Sequence, residues 1–339
     1  MMAVRTLIVD DSPTMRALIA GMLSRDPDIE VVGAANGPHQ AREMIKALDP
    51  DVITLDVEMP DMNGLDFLER VMRLRPMPVV MLSTLTQAGA DTTIRALELG
   101  AVECCAKPAT NCIDPRIAES VKAAASSRRI RVRDMAPAAP TPMADFKPIP
   151  GSLIAIGAST GGVEALIQVL SGFPANCPPT VICQHMPATF TTSFAARLDR
   201  LSKPTVTEAR HGQPLVAGHV YLAPGGTHHM EVGGVDGQYR ARLIPDDPVS
   251  GHRPSVDRLF HSVAKTVGAK AVGAILTGMG RDGADGLLAM RGKGCMTIGQ
   301  DRDSCVVYGM PGVAQDIGAV TRQLTLTRIA PALIDRCRA

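Results

Sequence analysis

Short runs of β-branched and aliphatic residues alternate with helical patterns twice over along this chain. That alternation restricts its fold more than any other feature of the 339 residues. In the first series RTLIVD, EVVGAA, DVITLD, PVVMLS and AVECCA are separated by segments such as FLERVMRL and TTIRALELG. Five β/α units over residues 3–125 predict a doubly wound parallel sheet. Residues 126–150 include DMAPAAPTPMADFKPIP, where five prolines and several alanines replace any periodic pattern, and read as a linker. A second series starts at 152, with strands in SLIAIG, TVICQ and AVGAILT and helices in VEALIQVL, SFAARLDRL and VDRLFHSVA. Between them HVYLAPGGTHHMEVGGVDGQYRARLI reads as short strands with Gly-rich turns, a hairpin inserted at the sheet's edge. The expectation is a two-domain α/β chain whose second domain, residues 151–339, is again built on a parallel sheet. No period of about 20 to 50 residues recurs, which excludes a solenoid or propeller.

The length is enough for two separate cores. Lys plus Arg number 35 against 34 Asp plus Glu, a net charge of +1, so nothing draws the chain to nucleic acid or an anionic membrane. No helix-turn-helix pattern supports a DNA-binding output either. The eight cysteines form no C-x-x-C pair, and the adjacent Cys104 and Cys105 cannot make a framework of spaced bridges, which points to a reducing cytoplasm. The start, MMAVRTLIVDDSP, turns acidic after a short apolar run, unlike a signal peptide or a span of about 20 apolar residues. A soluble, monomeric, cytoplasmic protein without membrane insertion is expected.

Asp10 and Asp11 end the first predicted strand, Asp56 ends the third, and Lys107 follows the fifth. In an open α/β sheet these ends share the edge where ligands bind. A single Asp there could be a turn former. Three carboxylates together repel unless a divalent cation neutralises them, and oxygen ligands with room for water favour Mg²⁺.

LIVDDSPTMR, DVITLDVEMPDMNGLDFLE, VVMLST and the Lys107-Pro108 pair resemble, in order, the receiver domain of two-component response regulators. The resemblance implies that Asp56 accepts a phosphoryl group from a histidine kinase. It also implies that Asp11, Asp56 and the Glu58 backbone carbonyl hold Mg²⁺ with Asp10 assisting. Lys107 and the Ser83 hydroxyl, or Thr84 beside it, would contact the phosphoryl oxygens. Cys104 stands where that family usually has an aromatic residue three before the lysine, so its aromatic relay is not expected here.

LIAIGASTGGVEAL, residues 153–166, passes from an apolar run through small residues into a helical pattern. It lacks the G-x-G-x-x-G spacing of a dinucleotide site and the G-K-[ST] of a P-loop. What remains is G-x-S-x-G, Gly157 to Gly161, with Ser159 on a tight elbow. Alone, such a serine can equally be a helix cap. His185 in TVICQHMP and Asp282 in AVGAILTGMGRDGADG also follow apolar strands, so serine, imidazole and carboxylate share one sheet edge, where a triad can assemble. His228 and His229 are neighbours and cannot readily face one metal from a regular element. His252 in GHRPSVDRLF precedes Ser255, which reads as a helix cap, and could be structural or lie at the site's rim.

IAIGASTGG, QHMP, YLAPGG, RPSVDRLF, ILTGMGRDGADGL and GMP at 309–311 resemble the catalytic domain of the bacterial chemotaxis protein-glutamate methylesterases. A receiver, a linker and this domain is that family's arrangement. The resemblance implies Ser159 as nucleophile, His185 as base and then acid, and Asp282 as orienting carboxylate, with the Thr160 and Met279 backbone N–H groups as oxyanion hole. It implies hydrolysis of γ-methyl glutamyl esters on chemoreceptors, related glutamine deamidation, a chemotaxis histidine kinase as phosphodonor, and no cofactor for the esterase step. A tethered receiver could occlude the serine until Asp56 is phosphorylated.

Overall fold

Residues 3–60, 62–83, 87–108, 115–127, 146–235 and 237–339 are described by the computed structural model. Thr84 and most of the Pro/Ala-rich segment, residues 128–145, lie outside them. The chain divides into two units, residues 1–130 and 131–339.

In the first unit the elements alternate as the sequence predicts: β1 (Val4–Val9), α1 (Pro13–Leu23), β2 (Ile29–Ala35), α2 (Pro38–Leu48) and β3 (Val52–Asp56). They continue with α3 (Gly64–Leu74), β4 (Val79–Ser83), α4 (Gln87–Glu98), β5 (Glu103–Ala106) and α5 (Pro115–Ser126). The sheet is parallel in the order β2-β1-β3-β4-β5. β3 and β4 are buried along their whole length, as strands covered by helices on both faces must be. Ser12 caps α1 by accepting the Met15 N–H, with Pro13 preset for the first turn. Chain order reverses at β1, so the loops after β1 and β3 diverge and leave a crevice at the strands' C-terminal ends.

The second unit runs β6 (Leu153–Ala158), α6 (Gly162–Ser171), β7 (Thr180–Gln184), α7 (Ala188–Leu201), β8 (Thr205–Glu208) and β9 (His219–Leu222). Then come β10 (His229–Val235), β11 (Gln238–Ile244), α8 (Val256–Thr266), β12 (Ala271–Ile275) and α9 (Ala284–Gly292). It ends with β13 (Met296–Gln300), α10 (Met310–Asp316), β14 (Arg322–Leu324) and α11 (Leu326–Arg336). Its main sheet is parallel, ordered β14-β13-β12-β6-β7-β9-β8, with β12, β6 and β7 adjacent at the centre.

The hairpin differs from expectation in its placement. β10 and β11 pair antiparallel as a separate two-stranded sheet instead of extending the main sheet's edge. Helix α8 claims it: Val232 N–H donates to Ser262 Oγ at 2.8 Å, and Thr266 Oγ1 donates to the Val232 carbonyl at 3.0 Å. Met230, Val232, Tyr239 and Ala241 pack into the same buried cluster as Val256, Leu259, Phe260 and Val263 of α8. Burying each large apolar side chain there is worth roughly 1.5–3 kcal/mol.

Candidate active site and receiver crevice

β6 is an uninterrupted buried run, and the turn after it is shaped by close approaches that only glycines allow. A Cβ on Gly157 would meet Val256 Cγ1 at 2.2 Å, so α8 packs directly on the strand end. Gly161 takes a left-handed φ of 75° as the cap of α6, and no side chain caps that helix. Ser159 is therefore not a helix cap. Its N–H donates to the Thr277 carbonyl at 3.0 Å, its carbonyl accepts the Gly162 N–H at 2.7 Å, and its hydroxyl is left to face His185.

His185 follows β7 and is bonded on both ring nitrogens. Nδ1 lies 3.1 Å from Ser159 Oγ and Nε2 lies 2.8 Å from Asp282 Oδ2. Asp282 follows β12 and meets the N-terminus of α8, where unpaired helical N–H groups favour an anion. Val256 N–H donates to Oδ2 at 2.7 Å, while Asp257 N–H at 3.1 Å and the Ser255 hydroxyl at 2.8 Å donate to Oδ1. Burial alone would push this carboxyl up. The His185 bond and charge and the α8 donors outweigh it and hold Asp282 at about 2. An ionised Asp282 fixes the proton on Nε2, leaving the Nδ1 lone pair for the serine proton. Beside it, burial pushes the Asp257 carboxyl up, and its Oδ1 takes the Gly286 N–H at 2.7 Å, tying α8 to α9.

Thr160 directly follows the serine, and Gly278, which precedes Met279, lies against it: a Cβ on Gly278 would fall 2.8 Å from Ser159 Cβ. Neither the Thr160 nor the Met279 N–H is spent on a described group. Two N–H groups beside the serine can serve a developing oxyanion.

Several residues that frame this line carry no local signature in the sequence. Gln184, buried at the end of β7, donates its amide to the carbonyls of Ser159 (3.0 Å) and His185 (3.2 Å). Thr277 Oγ1 faces the Thr160 carbonyl at 3.0 Å and accepts the Val307 N–H at 3.0 Å. His229 is fully buried, accepting the Ser255 N–H on Nδ1 at 3.1 Å and bonding the Asp247 carbonyl through Nε2 at 2.9 Å. Ser255 caps α8 as expected, accepting the Arg258 N–H. His252, weighed as structural or rim, stacks on His185.

In the first unit the structure gathers Asp10, Asp11, Asp56 and Lys107 in the crevice after β1, β3 and β5. Asp10 and Asp56 are buried, Asp11 is exposed, and one oxygen of each lies within 4.8 Å of the others. Lys107 Nζ lies 2.7 Å from Asp56 Oδ2 and 3.2 Å from Asp10 Oδ2. Burial pushes the Asp56 carboxyl up despite this partner. Lys107, which burial alone would lower, is held up by Asp56 and Asp10. Glu58 is drawn in by its N–H, 3.1 Å from Asp56 Oδ1. Ser83 is buried at the end of β4, its carbonyl accepting the Lys107 N–H at 2.9 Å. The all-oxygen donor set fits a hard divalent cation. Cys104 turns its thiol to Thr93 Oγ1 at 3.4 Å, and burial pushes it up to about 12. No helix among the described residues is long and apolar enough to cross a membrane.

The family model described as CheB methylesterase matches residues 154–333, and that of the response regulator receiver domain matches residues 6–113. The chain is 61% identical over 344 residues to protein-glutamate methylesterase/protein-glutamine glutaminase 1 of Caulobacter vibrioides, covering 100% of this chain and 99% of that protein. It is 57% identical over 333 residues to the Rhizobium johnstonii protein of the same name, covering 97% and 95%. Among solved structures, the Thermotoga maritima CheB methylesterase catalytic domain is similar with a TM-score of 0.53 and 37% identity, covering 55% of this chain and 99% of that one.

Proposed function

The chain belongs to the CheB methylesterase family and carries a response regulator receiver domain, and we propose from that premise a residue-level account of its reaction and control. The enzyme hydrolyses glutamate methyl esters of chemoreceptors to glutamate and methanol, and deamidates receptor glutamines by the same line of groups. Ser159 Oγ attacks the ester carbonyl carbon while its proton passes to His185 Nδ1. The Thr160 and Met279 N–H groups receive the oxyanion, whose collapse expels the methoxy group, protonated from His185, as methanol. Water, deprotonated by His185, then attacks the acyl-enzyme, and the C–Oγ bond breaks to give glutamate and serine. Asp282 stays ionised, holding the imidazole and balancing its charge.

The observation that carries this reading is the continuous hydrogen-bonded line from Ser159 through His185 to Asp282. Methanol release from methylated receptor membranes by the phosphorylated full chain tests it. Ser159→Ala should remove the activity, and activity persisting unchanged in that variant would overturn the assignment.

For control, Asp56 is the phosphoryl acceptor from a chemotaxis histidine kinase. Asp10, Asp11, Asp56 and the Glu58 carbonyl would hold Mg²⁺, whose chemistry is to spread charge off the phosphoryl oxygens. Lys107 and Ser83 then supply donors to those oxygens, with Thr84 the adjacent alternative. Phosphorylation of Asp56 relieves inhibition of the esterase by the tethered receiver.

A further inference from the structure

We propose that His252 is a positioning residue for the reaction, its imidazole clamping the face of His185; this rests on the hydrolytic reading of Ser159, His185 and Asp282. The two rings are stacked with centroids 3.7 Å apart and planes only 6° from parallel. The His185 hydrogen bonds to Ser159 and Asp282 act at the ring's edge, one at each nitrogen. Two such bonds fix the ends of a line through the ring but leave rocking about that line unopposed. A flat neighbour against the face supplies the missing restraint, because tilting the ring in either sense drives atoms of one ring into the other or opens a gap.

The backbone that presents His252 is itself fastened. Val249 and His252 exchange N–H···O bonds of 3.0 and 2.9 Å around a two-residue turn, with Ser250 and Gly251 both left-handed at φ 51° and 78°. The next residue, Arg253, donates Nε to the Gly226 carbonyl at 2.6 Å and a terminal nitrogen to the Asp246 carbonyl at 3.0 Å. Ser255, Val256 and Asp257 follow at once and hold the Asp282 carboxylate. One segment, residues 249–257, thus sets both the face of the imidazole and the position of its acidic partner. The ring and carboxylate are registered to each other through the same short stretch of chain.

What the clamp needs is a flat ring against the face of His185, not a hydrogen bond to substrate. Phe at 252 should preserve it, whereas Leu, of comparable bulk but not planar, should not. The test uses the full chain, a small phosphodonor with Mg²⁺, and methylated receptor membranes, with kcat and KM measured for wild type and for His252→Phe, His252→Leu and His252→Ala. The expected result is a fall in kcat of about 10- to 100-fold for Ala and Leu, the scale of a misplaced catalytic group, with KM within about twofold and Phe within about threefold of wild type. In parallel, ¹⁵N NMR of histidine-labelled full chain should show the His185 Nε2–H signal sharp in wild type and His252→Phe but broadened by exchange in His252→Ala and His252→Leu. A rise in KM alone would make His252 a substrate contact and overturn the proposal. So would equal rescue by Leu and Phe, or unchanged kcat and spectra in His252→Ala. Full activity of Ser159→Ala would overturn the hydrolytic reading instead, while the spectra still judge the clamp.

Discussion

Ser255 donates its hydroxyl to Asp282 Oδ1 at 2.8 Å while its own Oγ accepts the Arg258 N–H as the cap of α8. Folding the helix and orienting the acid of the candidate triad are therefore one act. Ser255→Ala removes both interactions and leaves a buried carboxylate one donor short. The expected cost is about 1–3 kcal/mol, combining a lost cap with a hydrogen bond to a charge. Chemical denaturation followed by far-ultraviolet circular dichroism checks it, since the chain contains no Trp. Methanol release should fall in the same variant, because the carboxylate gains freedom to turn away from His185.

The acid stability of the catalytic unit follows from the same carboxylate. Asp282 is held at about 2 in the folded chain and returns to the ordinary carboxylate range near 3.9 when unfolded. Its folded value is depressed, so its contribution is fully present above about pH 4 and is lost as pH falls towards 2. The linkage amounts to roughly 2–3 kcal/mol. Wild type should exceed Asp282→Asn in unfolding free energy at pH 5, and that gap should narrow by about this amount by pH 2. A gap that stays constant with pH would mean that the carboxylate is not stabilised by its charge.

Ser159, His185 and Asp282 were legible because each follows a continuous apolar run, and parallel strands put such ends on one edge. The acidic crevice was legible for the same reason. Gln184 and Thr277 were not, since they act on backbone carbonyls of residues 25 and 117 positions away, which no local pattern announces. β14 is only three residues long and largely exposed, so it carries no apolar run to read. The hairpin's alternation was visible, but its docking depends on Ser262 and Thr266 of a helix later in the chain.

Gly162 and Gln184 form a second coupled pair. A Cβ on Gly162 would lie 2.1 Å from Gln184 Oε1 and 2.8 Å from Ala158 Cβ. In Gly162→Ala the Gln184 amide must move off the Ser159 and His185 carbonyls it now bridges. Overpacking of this kind costs about 1–3 kcal/mol, and kcat should drop by about 100-fold as the serine turn shifts. Gln184→Ala should lose the bridge but make room, so the double variant should be less destabilised than the sum of the single ones. A double-mutant cycle on unfolding free energies measures that coupling.

Phosphorylation control is tested at Asp56. Asp56→Asn keeps the size of the side chain but removes the carboxylate that Lys107 faces. Stimulation of methanol release by phosphodonor and Mg²⁺ should disappear while basal activity remains. A chain beginning near residue 150 should be active without phosphodonor, and a tenfold excess over the unphosphorylated full chain would correspond to about 1.4 kcal/mol of inhibition. Equal activity of the two forms would mean that the receiver does not inhibit the esterase.

Thr277 separates placement of the oxyanion donors from chemistry at the triad. Its hydroxyl accepts the Val307 N–H at 3.0 Å and turns its single proton towards the Thr160 carbonyl at 3.0 Å or the Val307 carbonyl at 3.2 Å. Its own N–H is held by Gln300 Oε1 at 2.8 Å, and its carbonyl receives the Ser159 N–H. Thr277→Val keeps the volume and the backbone but strands the buried Val307 N–H, at a cost of about 1–3 kcal/mol. The Ser159 and His185 side chains keep every bond they have, whereas the Thr160 carbonyl, one peptide on from the Thr160 N–H, loses its contact with the Thr277 hydroxyl. If that contact helps to aim the Thr160 N–H at the oxyanion, kcat for ester hydrolysis should fall by about tenfold or more, on the way to the 100- to 1000-fold that loss of a whole donor brings. KM should stay unchanged, because the ground-state ester carries little charge there. A variant destabilised as expected but with wild-type kcat would assign the oxyanion contact elsewhere.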